Sequence, residues 1–241
     1  EDLFIYDIKR FQKFHSDIKF ITERITETLG DLYGMHWPYK QHKTSRNVKL
    51  LPYHNELKKA GACFGVAGGY ERPMWYSRNG NSEYSYSYNF QNWYPSAEFE
   101  TKNTVTNVGL YELTPFSKFE LKGDSVYEEL QKLCTANVKN EIGRCTYTQM
   151  LNSDGGIETD LTVVCISENH FRIIGAAATR ERDKFHIKKH IGQNIELTDV
   201  TDDYVCIGIF GPKSRELMKD ISGEDFSNDK LRFGHSKNIK I

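Results

Sequence analysis

The chain has 241 residues, 38% of them hydrophobic and 13% aromatic. Aromatic rings bury large areas, so this composition supports a packed core and excludes a chain that is disordered throughout. The formal net charge of -1, from 32 basic and 33 acidic residues with no long block of one sign, excludes the basic stripe that a nucleic-acid backbone attracts.

Residues 1–55 read as a mostly polar, helical connector. Ser16 can cap a helix that runs to Gly30 or Gly34, with Ile18, Ile21, Ile25, Leu29 and Leu32 at three- and four-residue steps. That stripe needs a partner surface other than water. Residues 33–38 break the helix and a basic loop covers 40–49. The domain proper is expected over 56–241. A short helix over 55–61 stops at Gly61, and a Gly-rich run follows at 65–69. Between Ser77 and Tyr94, the alternation of Tyr84, Tyr86, Tyr88 and Phe90 favours a strand, whereas the polar content favours a surface loop.

From residue 113 the signals sharpen. Residues 117–122 alternate as a strand. Gly123 and Asp124 then open a helix, with Asp124 as N-cap and Val126, Leu130 and Leu133 facing inward. Strands are expected at 144–151, 157–166 and 170–175, separated by the turn signals of 152–156 and 167–169. A helix is expected over 179–191, then a buried strand at 204–210. Pro212 starts another helix. Strand–Gly–helix thus occurs twice, around Gly123 and Gly211, as a short βαβ-like repeat. Residues 238–241 look like a final strand. Runs of strands with helices on one side define an α+β fold with a mainly antiparallel sheet.

Five cysteines, scattered and without a C-x-x-C pair, argue against a disulfide framework and against zinc. Reduced thiols fit a cytoplasmic or mitochondrial-matrix compartment. No apolar run reaches the ~20 residues of a membrane span. His186 and His190 have the spacing of two metal ligands, but Lys188 and Lys189 repel a cation and a solvated helix face is the better reading, with no metal. The 65–69 glycines lack G-x-G-x-x-G spacing, so this piece alone is expected to hold no flavin. The informative stretch is 147–163. Alternation puts Ile157, Thr159 and Leu161 on one strand face, and Glu158 and Asp160 on the other. An exposed polar face explains two such carboxylates without any function.

The stretch from Tyr147 to Val163 resembles the glycine-cleavage aminomethyltransferase (T-protein) family, from a folate-contacting Tyr to a turn written G-G-I-x-D-D-L. Asp160 matches the second Asp, the family's key acidic residue, and Thr159 replaces the first. The form G-G-I-E-T-D-L-T-V is more similar to the corresponding domain of dimethylglycine and sarcosine dehydrogenases. Residues 68–75 resemble those enzymes' G-[WY]-E-R-P-x-W, residues 108–118 their V-G-L-x-[DE]-L-[ST]-x-F-x-K, residues 133–138 their L-x-x-x-N-V, and residues 210–214 their F-G-P-x-[AS]. Gly175 stands where T-proteins have an Asn, and Thr101 and Thr106 where His and Arg are common.

The resemblance implies a T-protein-like folate-binding domain at 56–241. A flavin (FAD) domain would precede Glu1, residues 1–55 would be the connector from it, and further folate-binding arginines and a C-terminal barrel would follow Ile241. It implies tetrahydrofolate-dependent capture of the iminium or formaldehyde left by oxidative N-demethylation, giving 5,10-methylenetetrahydrofolate. Asp160 would be the catalytic carboxylate, and Tyr147, Phe116, Asn137, Gly175 and Glu158 would surround the folate, with Asp160 facing a pocket and Glu158 nearer its rim. The rivals are a degenerate folate-binding or docking module and a stand-alone aminomethyltransferase.

Overall fold

The computed structural model describes Leu3, residues 6–139 and residues 141–241. In chain order its elements are α1 (Ile18–Asp31), α2 (His54–Lys59), β1 (Ala62–Ala67), β2 (Tyr70–Tyr76), α3 (Tyr94–Thr106), β3 (Gly109–Glu112), β4 (Ser117–Lys122), α4 (Val126–Leu133), β5 (Cys145–Leu151), β6 (Ile157–Ser167), β7 (His170–Gly175), α5 (Arg180–His190), β8 (Glu196–Asp199), β9 (Ile207–Phe210) and α6 (Ser214–Ser222). They fall into two compact units. Unit 1 holds residues 1–10, 114–206 and 215–241; unit 2 holds residues 11–113 and 207–214.

Unit 1 is built on one antiparallel sheet of order β5-β6-β7-β4-β8. One face carries the core: Phe119, Leu121, Met150, Leu161, Val163, Phe171 and Ile173, closed by Val126 and Leu130 of α4 and Ile187 of α5. The expected strands at 144–175 and the helix after them are present almost to the residue, and the fold is α+β as expected. Asp124 is not the cap of α4. Its carboxylate accepts from the Asn169 side chain, and Ser125 occupies the N-cap position. The strand β8 carries too little apolar signal to be seen in the sequence. Residues 238–241 form no strand.

Unit 2 joins β1 to β2 through Gly68 and Gly69, whose φ angles of 57° and 85° suit a tight hairpin turn. The Gly-rich run is therefore the end of β1 and the turn that follows it. Glu71 explains why this hairpin carries a carboxylate: it is 2% exposed and accepts Arg46 Nε at 2.8 Å, Arg46 Nη2, and the Asn47 N–H at 2.7 Å. That clamp holds the 45–47 loop, where Ser45 and Asn47 have φ of 48° and 61°. The stretch 77–92 is loop; its tyrosines stack on neighbouring rings without joining a sheet.

Three expectations need correction. The cap of α1 is Asp17, whose carboxylate accepts the Phe20 N–H at 2.9 Å, and not Ser16. The strand expected at 204–210 shrinks to β9, which among the described residues pairs with β3 alone and is half-exposed. The two strand–Gly–helix passages exist, but their strands belong to separate antiparallel sheets, so they form no βαβ repeat. Within the described residues α1 docks through its polar side. Glu23, Arg24 and Glu27 hydrogen-bond the 43–45 loop, leaving Ile25 52% and Leu29 57% exposed and Ile21 half-buried. No helix of the described residues is long and apolar enough to cross a membrane.

Candidate functional site

The β5–β6 hairpin sets the geometry. Its turn closes because Asn152 Oδ1 accepts the N–H groups of Asp154 and Gly156 at 3.0 and 2.8 Å, while Gly155 takes φ 79°. The register pairs Tyr147 with Thr162 and Gln149 with Asp160. Side chains two apart share a face, so Tyr147 and Asp160 are diagonal neighbours on the face away from the core. Tyr147 Oη donates to Asp160 Oδ2 at 2.9 Å. That bond, together with the carboxylate's charge, raises the phenol above its usual range.

The same face continues across the sheet. Ile174 and Arg172 of β7 and Lys118 and Glu120 of β4 follow in register. Glu120 accepts from Arg172 Nη2 at 2.5 Å and lies 3.1 Å from His170 Nε2. Burial pushes its carboxyl up, but Arg172 and its neighbours outweigh this and hold it below the usual range. Lys118 is buried, and its ammonium donates to the carbonyls of Thr114 and Phe116 at 2.9 Å each. These residues escape sequence reading because a Lys or Glu in an alternating strand looks like a solvent-facing one.

The expected order of burial between the two carboxylates is reversed. Asp160 is exposed and Glu158 is half-buried. The reason is a register shift: Met150 pairs with Thr159 and Leu151 with Ile157, so Glu158 is the extra residue of a bulge. Its carbonyl is held by Arg182 Nη2 at 2.5 Å. The same bulge takes Ile157 out of the core, leaving it exposed, while Thr159 and Leu161 stay inside.

The remaining candidates are spread. Phe116 stands just before β4, two strands from β6, or about 10 Å by strand spacing. Asn137 lies in the loop that Thr135 and Ala136 stitch to β5, and its Oδ1 accepts the Lys139 N–H. Gly175 looks the other way: a Cβ there would meet Ser117 Oγ at 3.0 Å and Asp183 Oδ2 at 3.4 Å on the core side. Asp183 itself is 1% exposed and accepts Thr179 Oγ1 at 2.7 Å, and burial, partly offset by Thr179 and Thr159, pushes its carboxyl up. His186 is buried against the sheet side of α5 rather than solvated, because position 186 shares a helix face with Asp183. No group of three metal-ligating side chains exists among the described residues.

The antiparallel sheet with helices packed on one face defines an α+β domain, and the Tyr–carboxylate pair on the other face spans the two strands that the 152–156 turn joins. Residues 53–241 match the family model described as GCVT N-terminal domain, and the chain belongs to that family. Residues 1–50 match the model described as FAD dependent oxidoreductase central domain. The chain is 37% identical over 237 residues to 4-methylaminobutanoate oxidase (formaldehyde-forming) of Paenarthrobacter nicotinovorans, covering 98% of this chain and 29% of that protein. It is 26% identical to mitochondrial dimethylglycine dehydrogenase of Rattus norvegicus, covering all of this chain and 28% of the relative. The chain therefore spans under a third of the length of these relatives. A solved aminomethyltransferase T of the glycine cleavage system from Bartonella henselae shares the fold, with a TM-score of 0.65 at 21% identity over 80% of this chain and 48% of that one.

Proposed function

We propose that this chain is the one-carbon-transfer part of a flavin-linked enzyme that oxidises an N-methyl amine. In this reading residues 1–55 connect to a flavin oxidoreductase domain and residues 56–241 form the folate-binding domain. The iminium carbon, or the formaldehyde from its hydrolysis, is taken up as 5,10-methylenetetrahydrofolate. Tetrahydrofolate supplies the nucleophilic nitrogens when bound, so the protein needs no nucleophile of its own.

The observation that carries the reading is the Tyr147–Asp160 pair, a carboxylate and a phenol 2.9 Å apart on the face of the sheet that its helices leave uncovered. This donor set fits a pterin: the carboxylate matches ring N–H groups, and the exposed rings of Tyr147 and Phe116 offer flat apolar surface. Asp160 acts as general base toward a nitrogen-bound proton, or as the anion that offsets positive charge on the transferred carbon. Tyr147 holds that carboxylate in one orientation. Glu158, two residues along β6, and Asn137, in the loop stitched to β5, contribute polar groups at the margin of the bound folate. Gly175 acts indirectly, by letting Asp183 of α5 pack against the sheet beneath.

The test is Asp160→Asn in the intact gene product. Amine-driven flavin reduction is expected to persist. Methylenetetrahydrofolate yield is expected to fall by about 10²–10⁴-fold, with free formaldehyde in its place. An unchanged yield would remove Asp160 from the chemistry and leave a docking module as the better reading.

A further inference from the structure

Two further motif segments belong to unit 2: the E-R-P-M stretch of β2 and the V-G-L-Y-E stretch that runs into β3. Within unit 2 they meet at one cavity of about 370 Å³, with α3 as its third wall. That volume lies at the small end of ligand pockets. Its charged lining residues are Arg72, Glu100 and Glu112. Glu112 already accepts the Tyr53 phenol.

Arg72 and Glu100 are each only partly used. Arg72 Nε donates to the Glu112 carbonyl at 3.1 Å, and its two terminal nitrogens have no hydrogen-bond partner among the described residues. Glu100 Oε1 accepts the Tyr76 N–H at 3.0 Å; among the described residues Oε2 has no partner and no cation pairs with the carboxylate. A half-buried carboxylate left so costs free energy that a bound cation would recover. Consistent with this, burial raises the Glu100 carboxyl above its usual range, and the Tyr76 N–H only partly opposes it. A planar guanidinium fork suits a carboxylate, and the rings of Tyr76 and Tyr111 suit an alkylated ammonium, while the Phe99 ring already carries the Arg78 guanidinium 4.0 Å from its centroid.

We propose that this cavity binds a small zwitterionic amino acid, with its ammonium against Glu100 and its carboxylate against Arg72. The site lies in unit 2 and its occupancy does not depend on the folate reading, which rests on residues of unit 1.

The experiment titrates the chain with glycine and with 4-aminobutanoate, a short and a long spacer between the same two charges. Butylamine and butyrate, each with one charge, are the controls, and binding is followed by amide chemical shifts. At least one zwitterion should bind saturably and shift the signals of Tyr76, Glu100 and Glu112. Each control should bind about tenfold or more weakly than it. Glu100→Gln keeps an oxygen for the Tyr76 N–H and should weaken binding by about tenfold or more at neutral pH. In the wild type, affinity should fall as acid protonates Glu100. Absence of binding by both zwitterions would overturn the proposal. So would shifts confined to other residues, equal binding of butylamine, or an unchanged affinity in a folded Glu100→Gln variant.

Discussion

Replacing Arg46 with Met tests the account of the Glu71 clamp. In the wild type the carboxylate accepts two N–H groups of Arg46 and one of Asn47. Arg46 also reaches the carbonyls of His42 and Phe64 at 3.0 and 3.1 Å, so one guanidinium ties the 42–47 loop to both strands of the β1–β2 hairpin. Breaking a buried pair by removing one partner costs about 3–5 kcal/mol. The Arg46 side chain is a quarter exposed, which places the expected loss nearer ~2–3 kcal/mol. The pH dependence separates this account from a mere loss of packing. Burial is the largest influence on Glu71 and pushes its carboxyl up; the Arg46 and Asn47 bonds outweigh it and hold the group below its usual range. Its stabilising contribution is therefore present above the unfolded pKa and is lost as pH falls through the folded one. In Arg46→Met, burial is opposed by one backbone N–H, the folded pKa rises, and the penalty present at neutral pH is relieved as pH falls. Urea unfolding should show a gap between variant and wild type that narrows from pH 7 to about pH 4 at constant m-value. A gap of equal size at both pH values, or one below about 1 kcal/mol at pH 7, would refute the reasoning.

Two other perturbations follow from burial. Asp183 is enclosed and its carboxyl is raised, so its contribution is full below the unfolded pKa and is lost as pH rises through the folded one. Asp183→Asn should leave stability at pH 7 unchanged or higher, by up to about 1 kcal/mol, with the difference fading toward pH 4; thermal unfolding at the two pH values measures it. On α1, Ile25→Ser with Leu29→Ser should change the stability of this chain by no more than about 0.5 kcal/mol, because both side chains are more than half exposed. If the connector reading holds, the same pair should weaken association with a flavin oxidoreductase domain, measured by co-purification or by flavin retention in the intact gene product.

The meander from β5 to β7 and the helix after it were legible because strict alternation, an N-x-x-G-G turn and a helix-length polar run agree there. The β1–β2 hairpin was not, since neither the Gly-rich run at 65–69 nor the residues after it show the alternation of a strand pair. Pro73 is accommodated beside a register shift between Cys63 and Phe64, a detail that depends on pairing. The helix α3 carries no periodic signal, because its apolar residues do not recur at helical steps. Of the site, Asp160 and Tyr147 could be named from the resemblance, but their contact needs the register of two strands. The burial of Asp183, Lys118 and Glu120 depends on which layer covers them, and alternation within one strand carries no such information.

The pairing of β3 with β9 has a consequence for synthesis. Unit 2 is discontinuous: β3 ends at Glu112 and its partner begins at Ile207, with most of unit 1 between them. At about 5–20 residues per second, a ribosome spends roughly 5–20 s on the intervening chain. During that interval β3 presents an open edge, with Leu110 outward and its N–H and C=O groups unmatched, the kind of template that recruits a foreign strand. Unit 1 has all five of its strands before β9 emerges and can complete its sheet first. Slowing translation between residues 113 and 206, or deleting β9, should therefore lengthen the exposure of β3 and promote aggregation through unit 2, while the sheet of unit 1 still forms.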